Sequence, residues 1–119
     1  RKGYHSMRQF AKAFAQHKAG EMNGLEKEYA ERLNFLRQAG AIKNWEFEAV
    51  KLNLGDRCWY TPDFFVINAS DEIEFHETKG FMTDDALVKL KACASRFPFK
   101  FYLATKENKK LIIKDMSCL

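Results

Sequence analysis

Tyr60-Thr61-Pro62-Asp63-Phe64-Phe65-Val66-Ile67, a polar turn from Asn68 to Asp71, and Ile73-Glu74-Phe75-His76-Glu77-Thr78-Lys79-Gly80 form the stretch around which the chain is organised. Two runs rich in Phe, Ile and Val, joined by Asn, Ser and Asp, read as a β-hairpin. Strand side chains alternate between faces, so Ile73, Phe75, Glu77 and Lys79 share one of them. That face passes from apolar to charged at the strand's end. A carboxylate and a lysine about 7 Å apart by strand rise, set against a core edge, call for a compensating partner. Asp63, near the start of the neighbouring strand, brings a second carboxylate toward Glu77. Two mutually repelling acids beside a lysine suit a divalent cation. His76 falls on the face opposite Glu77 and reads as structural or exposed.

Upstream, Trp45 and Phe47, then Val50, Leu52 and Leu54, predict a strand over Asn44 to Leu54. Its phase slips by one near Ala49, as a β-bulge would produce. Trp45, Glu46 and Phe47 offer an aromatic face for stacking bases, although core packing is the commoner use of such residues. Gly55-Asp56 signals a turn, with a hairpin partner starting at Cys58. Pro62 has no N–H to give a ladder, so the chain is at an edge or irregular there.

A helix is expected over Gly24 to Ala39. Asn23 is its N-cap, Glu26 completes a capping box, and Gly40 supplies the stop. Leu25, Tyr29, Leu33 and Leu36 give its buried stripe. Before it, Met7, Phe10, Ala11, Phe14 and Ala15 recur at helical spacing and predict a first helix over Ser6 to Lys18, ended by Gly20. Arg8, Lys12, His17 and Lys18 form its other face. Downstream, Thr83 caps a helix running to about Arg96, with Asp84 and Asp85 at its positive end. Ala86, Leu87, Leu90, Cys93, Ala94 and Phe97 make its inward stripe. Phe99, Phe101 and Leu103 then alternate as a strand, and a charged turn at Lys106 to Lys110 leads to a last one, Leu111 to Lys114. The order is α-α-β-β-β-α-β-β, an α/β (α+β) fold with a mixed sheet flanked by helices.

A chain of 119 residues fits one domain with one core, and 46% hydrophobic residues with eleven Phe point to a packed globule rather than disorder. The net charge of +4 and pI of about 9.0 permit a polyanionic partner without demanding one. Cys58, Cys93 and Cys118 lie far apart, which argues for reduced thiols in a cytosolic setting rather than a disulfide frame or zinc site. No apolar run approaches the ~18–20 residues of a membrane span, and no signal-peptide pattern is present. The sequence begins at Arg1, and Met7 is a candidate native start. No Ser-His-Asp order, glycine-rich phosphate loop or His/Cys metal spacing competes with the acidic hairpin.

Pro62-Asp63, followed after a hairpin-length gap by Glu77-Thr78-Lys79, resembles the PD-(D/E)XK motif of the restriction-endonuclease-like nuclease superfamily. The wider wording, Tyr60-Thr61-Pro62-Asp63-Phe64 then Glu77-Thr78-Lys79-Gly80, is similar to a family of small phage nucleases near the Holliday-junction resolvases. The likeness runs roughly from Asn23 to Phe101. It implies a restriction-endonuclease-like sheet in a single domain, with a nuclease core over residues 23–105 behind a helical extension over residues 1–20.

The activity implied is that of a metal-dependent endodeoxyribonuclease using Mg2+, with Mn2+ as a substitute. In such a nuclease Asp63, Glu77, the Thr78 carbonyl and a helix-borne Glu26 would hold the metal. Lys79 would orient or deprotonate the attacking water. Phe64, Phe65, Phe75 and Phe81 would keep the site dry. Glu28 and Glu31 rival Glu26, whose local reading is a plain helix cap worth ~1 kcal/mol. Lys89, Lys91 and Tyr29 fall where the family contacts DNA. The partners implied are branched or duplex DNA and a second copy of the chain, with the first helix contributing to a homodimer. The setting implied is the cytoplasm of a bacterial host. Two other classes share these features: a non-catalytic nucleic-acid-binding module, and a protein-interaction domain presenting Trp45, Trp59 and the first helix as an apolar surface.

Overall fold

The phase slip near Ala49 is where the chain leaves one sheet for another. The computed structural model describes residues 14–16, 18–81 and 83–118. In chain order its elements are β1 (Phe14–Gln16), α1 (Gly24–Gln38), β2 (Ile42–Phe47), β3 (Val50–Gly55), β4 (Cys58–Tyr60), β5 (Phe64–Asn68), β6 (Ile73–Lys79), α2 (Asp84–Arg96), β7 (Lys100–Glu107) and β8 (Lys110–Asp115). One sheet has the order β2-β5-β6-β7-β8, and a smaller one has the order β1-β3-β4. Among the described strands only β6 and β7 pair in parallel, because α2 carries the chain across between them. The fold is α+β, with a mixed five-stranded sheet.

The single strand expected over Asn44 to Leu54 is therefore two. Glu48 adopts a left-handed φ of 47°, and the residues on either side of it enter different cores. Trp45 and Phe47 pack with α1, whereas Val50, Leu52 and Leu54 pack with α2. A bulge is not needed. The helix expected over Ser6 to Lys18 also gives way within the described residues: Phe14–Gln16 lie antiparallel to β3, with Ala15 opposite Lys51. Pairing there satisfies backbone groups along an edge of β3, a tertiary demand that helical spacing cannot register. The remainder of that expected helix in residues 6–13 and at 17 lies outside the described residues. A further strand break at Thr61 to Asp63 follows from Pro62 and returns the chain from the small sheet to the large one.

The large sheet is buried on both faces. On one, Tyr29, Ala30 and Leu33 of α1 meet Ile42, Phe64, Val66 and Ala104. Phe64 is fully enclosed there, with ring centroids 5.3 Å from Tyr29, 5.6 Å from Trp45 and 5.4 Å from Phe47. On the other, Leu90, Cys93 and Ala94 of α2 pack on Phe75, Phe101 and Leu103, with Leu52 and Tyr60 of the small sheet closing the far side. Each fully buried aromatic or aliphatic side chain contributes about 1.5–3 kcal/mol. The expected inward stripe of α2 holds at Leu90, Cys93, Ala94 and Phe97.

Local signals hold well at the turns. Asp56 and Arg57 (φ 47° and 61°) join β3 to β4, and Asn108 and Lys109 (φ 50° and 66°) join β7 to β8, the left-handed pairs that tight hairpins need. Both helices carry their expected caps, and Thr83 Oγ1 accepts the Ala86 N–H at 3.2 Å. Among the described residues no helix is long and apolar enough to cross a membrane.

Candidate active site

The ladder between β5 and β6 stops at the Phe64 and His76 pair. One step further, side chains replace the backbone bonds. The Asp63 N–H donates to Glu77 Oε1 at 2.9 Å, while the Thr78 N–H and hydroxyl both donate to Asp63 Oδ2 at 2.8 Å. Each acid is thus held by the strand that carries the other. Strand alternation explains the convergence, since Phe65 and Phe75 face each other one pair earlier on the α2 side. A strand residue directs its N–H and C=O to the same edge, so the Thr78 carbonyl also lies on the Asp63 side. Asp63, Glu77 and Thr78 are all buried, with Glu77 only 4% exposed.

α1 brings the third acid. Both readings of Glu26 describe it: Oε1 accepts the Asn23 N–H at 2.8 Å in a complete capping box, and the side chain also borders a cavity of about 480 Å³ with Asp63 and Glu77. Its rivals lie elsewhere. Glu28 pairs with Lys106 at 2.7 Å on the surface, and Glu31 is exposed, neither bordering the cavity. Lys79 and Lys89 line the same space, Lys79 Nζ standing 3.6 Å from Glu77 Oε2.

Like charges dominate this cleft. Burial, and then repulsion from Asp63, push Glu77 up to about 7 despite the Tyr60 hydroxyl, the Asp63 amide and Lys79 pulling the other way. Glu26 is also raised, burial and the nearby Asp63 outweighing the Asn23 amide. Oxygen donors crowded to the point of mutual repulsion are the chemistry a hard divalent cation relieves. Glu77 Oε1, Asp63 Oδ2 and Glu26 Oε1 accept the hydrogen bonds above, and a carboxylate has lone pairs beyond those for further partners. As they stand, no three His, Cys, Asp or Glu side chains among the described residues close into a coordination shell. In type, the oxygens of Glu26, Asp63 and Glu77 and the Thr78 carbonyl are donors that a hard cation such as Mg2+ or Mn2+ could use.

Other expected residues fall outside the cleft. Tyr29 is 2% exposed and its hydroxyl is hydrogen-bonded to His76 Nδ1, which takes it off any DNA-facing surface. Lys91 is exposed but does not border the cavity. Phe81, expected to help dry the site, is 82% exposed, and Phe64 belongs to the α1 core. Six cavity residues were not among the expected site residues: Glu48, Tyr60, Thr61, Thr83, Asp85 and Ala86. Glu48 is tied to the site through its N–H, which donates to the Asp63 carbonyl at 2.7 Å, and its Oε1 accepts the Gly20 N–H at 3.0 Å. The phase slip at Ala49 was its only sequence trace. Asp85 read simply as a charge suited to a helix start, and Tyr60 as a strand residue.

Comparison with protein-family models, with curated proteins and with solved structures returns no match for this chain.

Proposed function

We propose that the protein is a metal-dependent endodeoxyribonuclease of restriction-endonuclease-like fold, hydrolysing phosphodiester bonds in the cytoplasm of a bacterial host. The observation that carries this reading is the meeting of Glu26, Asp63, Glu77 and Lys79, drawn from one helix and two strands, around a single open cleft. Their order and spacing resemble the PD-(D/E)XK motif, and the cleft gives that resemblance a chemical use.

A bound Mg2+ or Mn2+ would supply positive charge to the phosphate and make a water acidic enough to ionise near neutrality. The protein's share of the work lies in geometry and proton handling. Thr78 fixes Asp63 by two donors, and the Asp63 amide fixes Glu77, so neither carboxylate must reorganise as charge develops. Lys79, half-exposed at the cleft wall, orients the attacking water and offsets negative charge on the phosphate. Lys89, on the first turns of α2, meets the phosphate backbone. Backbone charge and DNA shape govern binding, and affinity weakens steeply with salt. Branched, Holliday-junction-like DNA is the substrate the resemblance favours, cut by a homodimer.

Of the apolar surface that the interaction-domain reading would use, Trp45 is half-buried with its indole N–H donated to Asn34 at 2.9 Å, while Trp59 stays exposed with Lys51 Nζ 4.7 Å from its ring. Incubation of the protein with plasmid and with a four-way junction, with and without Mg2+ or Mn2+, tests the proposal. Metal-dependent cutting is expected, lost by a factor of about 10²–10⁴ in Lys79→Ala and at least as much in Asp63→Ala. Cutting by either variant at the wild-type rate would overturn it.

A further inference from the structure

Among the described residues, Tyr60 Oη is the one buried side-chain oxygen or nitrogen without a hydrogen-bond partner. Leaving such a hydroxyl unpaired costs about 1–3 kcal/mol. Packing holds it in place: the ring belongs to the α2-side core, Tyr60 stands opposite Leu52 in the small sheet, and the residue is only 9% exposed. The phenol borders the same cleft as Glu77 and Asp63. Burial, with Glu77 second, raises it well above its ordinary range, so it keeps its proton and acts as a donor.

Glu77 offers the matching acceptor. Its Oε1 is taken by the Asp63 amide, Oε2 stands 3.6 Å from Lys79 Nζ, beyond hydrogen-bond length, and the Tyr60 hydroxyl lies near enough to favour the charged carboxylate without closing a hydrogen bond. A donor lacking an acceptor and a carboxylate oxygen lacking a close donor therefore line one cavity. The terminal torsion of a glutamate is soft, and the Asp63 N–H supplies a pivot. Carboxylates that hold a metal are themselves hydrogen-bonded from behind, and loss of that support typically costs 10–100-fold in affinity.

We propose that Tyr60 is a positioning residue for Glu77, its hydroxyl donating to Glu77 Oε2 when that carboxylate binds a divalent cation in the cleft. The inference rests on the cation-binding reading above and adds a residue from outside the resembling acid and lysine set. In the cation-free protein the hydroxyl closes no hydrogen bond and only favours the Glu77 charge from nearby, whereas in the loaded protein it orients a ligand.

Tyr60→Phe removes one oxygen and leaves the packing intact. Two measurements on purified full-length protein decide the matter: denaturant unfolding without metal, and calorimetric titration with Mn2+. The expected result is unchanged or higher stability of the cation-free variant together with about 10–100-fold weaker Mn2+ binding. Equal Mn2+ affinity in the two proteins would overturn the role of Tyr60 while leaving the cation site standing. A clear loss of cation-free stability would also overturn it, by exposing an ordinary structural hydrogen bond. Failure of the wild-type protein to bind Mn2+ would instead remove the site itself, and the proposed activity with it.

Discussion

Glu77 and its neighbour His76 stand back to back on β6, and the two sides of the strand handle buried charge in opposite ways. On the α1 side, the Tyr29 phenol is pushed up to about 12 by burial, keeps its proton and donates to His76 Nδ1. His76 Nε2 then carries the imidazole hydrogen and meets Glu74 Oε1 at 2.8 Å, while Asn68 Nδ2 donates to Glu74 Oε2 at 2.8 Å. Burial works against the Glu74 charge, yet the hydrogen bonds from His76 and Asn68 hold its carboxyl below the ordinary range. On the α2 side, Glu77 is raised to about 7, Glu26 is raised beside it, and Tyr60 has no partner. One cluster meets its buried charge with partners inside the protein. The other leaves its carboxylates raised and one hydroxyl unpaired, the pattern expected if the proposed cation site is real.

Breaking the complete cluster should have the largest effect on folding. His76→Ala leaves Glu74 and Tyr29 buried without their partner and should destabilise the protein by about 3–5 kcal/mol. Urea unfolding measures this, and a change within 0.5 kcal/mol of zero, roughly the scatter of surface substitutions, would erase the distinction between the two sides.

The incomplete cluster should respond to pH instead. Glu77 has a folded pKa of about 7 against the 4.5 of an exposed glutamate. Between those values the folded protein holds a proton that the unfolded chain releases, so stability is greatest below about 4.5 and is lost as pH rises through 7. The loss attributable to this group is on the order of 3 kcal/mol at most. Cation-free Glu77→Gln should flatten that part of the profile and be more stable than wild type at pH 8. A variant that parallels the wild-type profile would contradict the assignment.

Glu26 sharpens the comparison at the smallest scale, because it serves helix and cleft together. Glu26→Ala should cost about 1 kcal/mol through loss of its share of the capping box, whereas Glu26→Gln keeps an oxygen for the Asn23 N–H. Both should weaken metal-dependent cleavage. Thermal unfolding alongside the cleavage assay separates the two roles, and full activity in Glu26→Gln would confine this residue to capping.

Local chemistry made much of this legible in the sequence. The Asn23 and Thr83 caps, the Asn68–Asp71 turn and the strand alternation through Ile73, Phe75 and Glu77 are short-range signals, and they place Asp63 against Glu77 almost by themselves. What stayed hidden depends on distant partners. Phe14–Gln16 became a strand because β3 has an edge to pair, and Glu48 turned because its two flanks serve different cores. Tyr29 sits on the helical stripe that the periodicity marked as buried, and the resemblance alone drew it toward DNA. Tyr60 opened the stretch that carries the resemblance but was given no role, since a hydroxyl's lack of a partner is a property of three-dimensional packing.

The most direct test of the central claim is the melting temperature of the protein with and without Mn2+ at pH 8, in wild type and in Asp63→Asn. If the crowded carboxylates form a cation site, Mn2+ at 100 times its dissociation constant should stabilise the wild-type protein by about 2.7 kcal/mol and leave Asp63→Asn nearly unchanged. Equal shifts in the two proteins, or none in either, would contradict it.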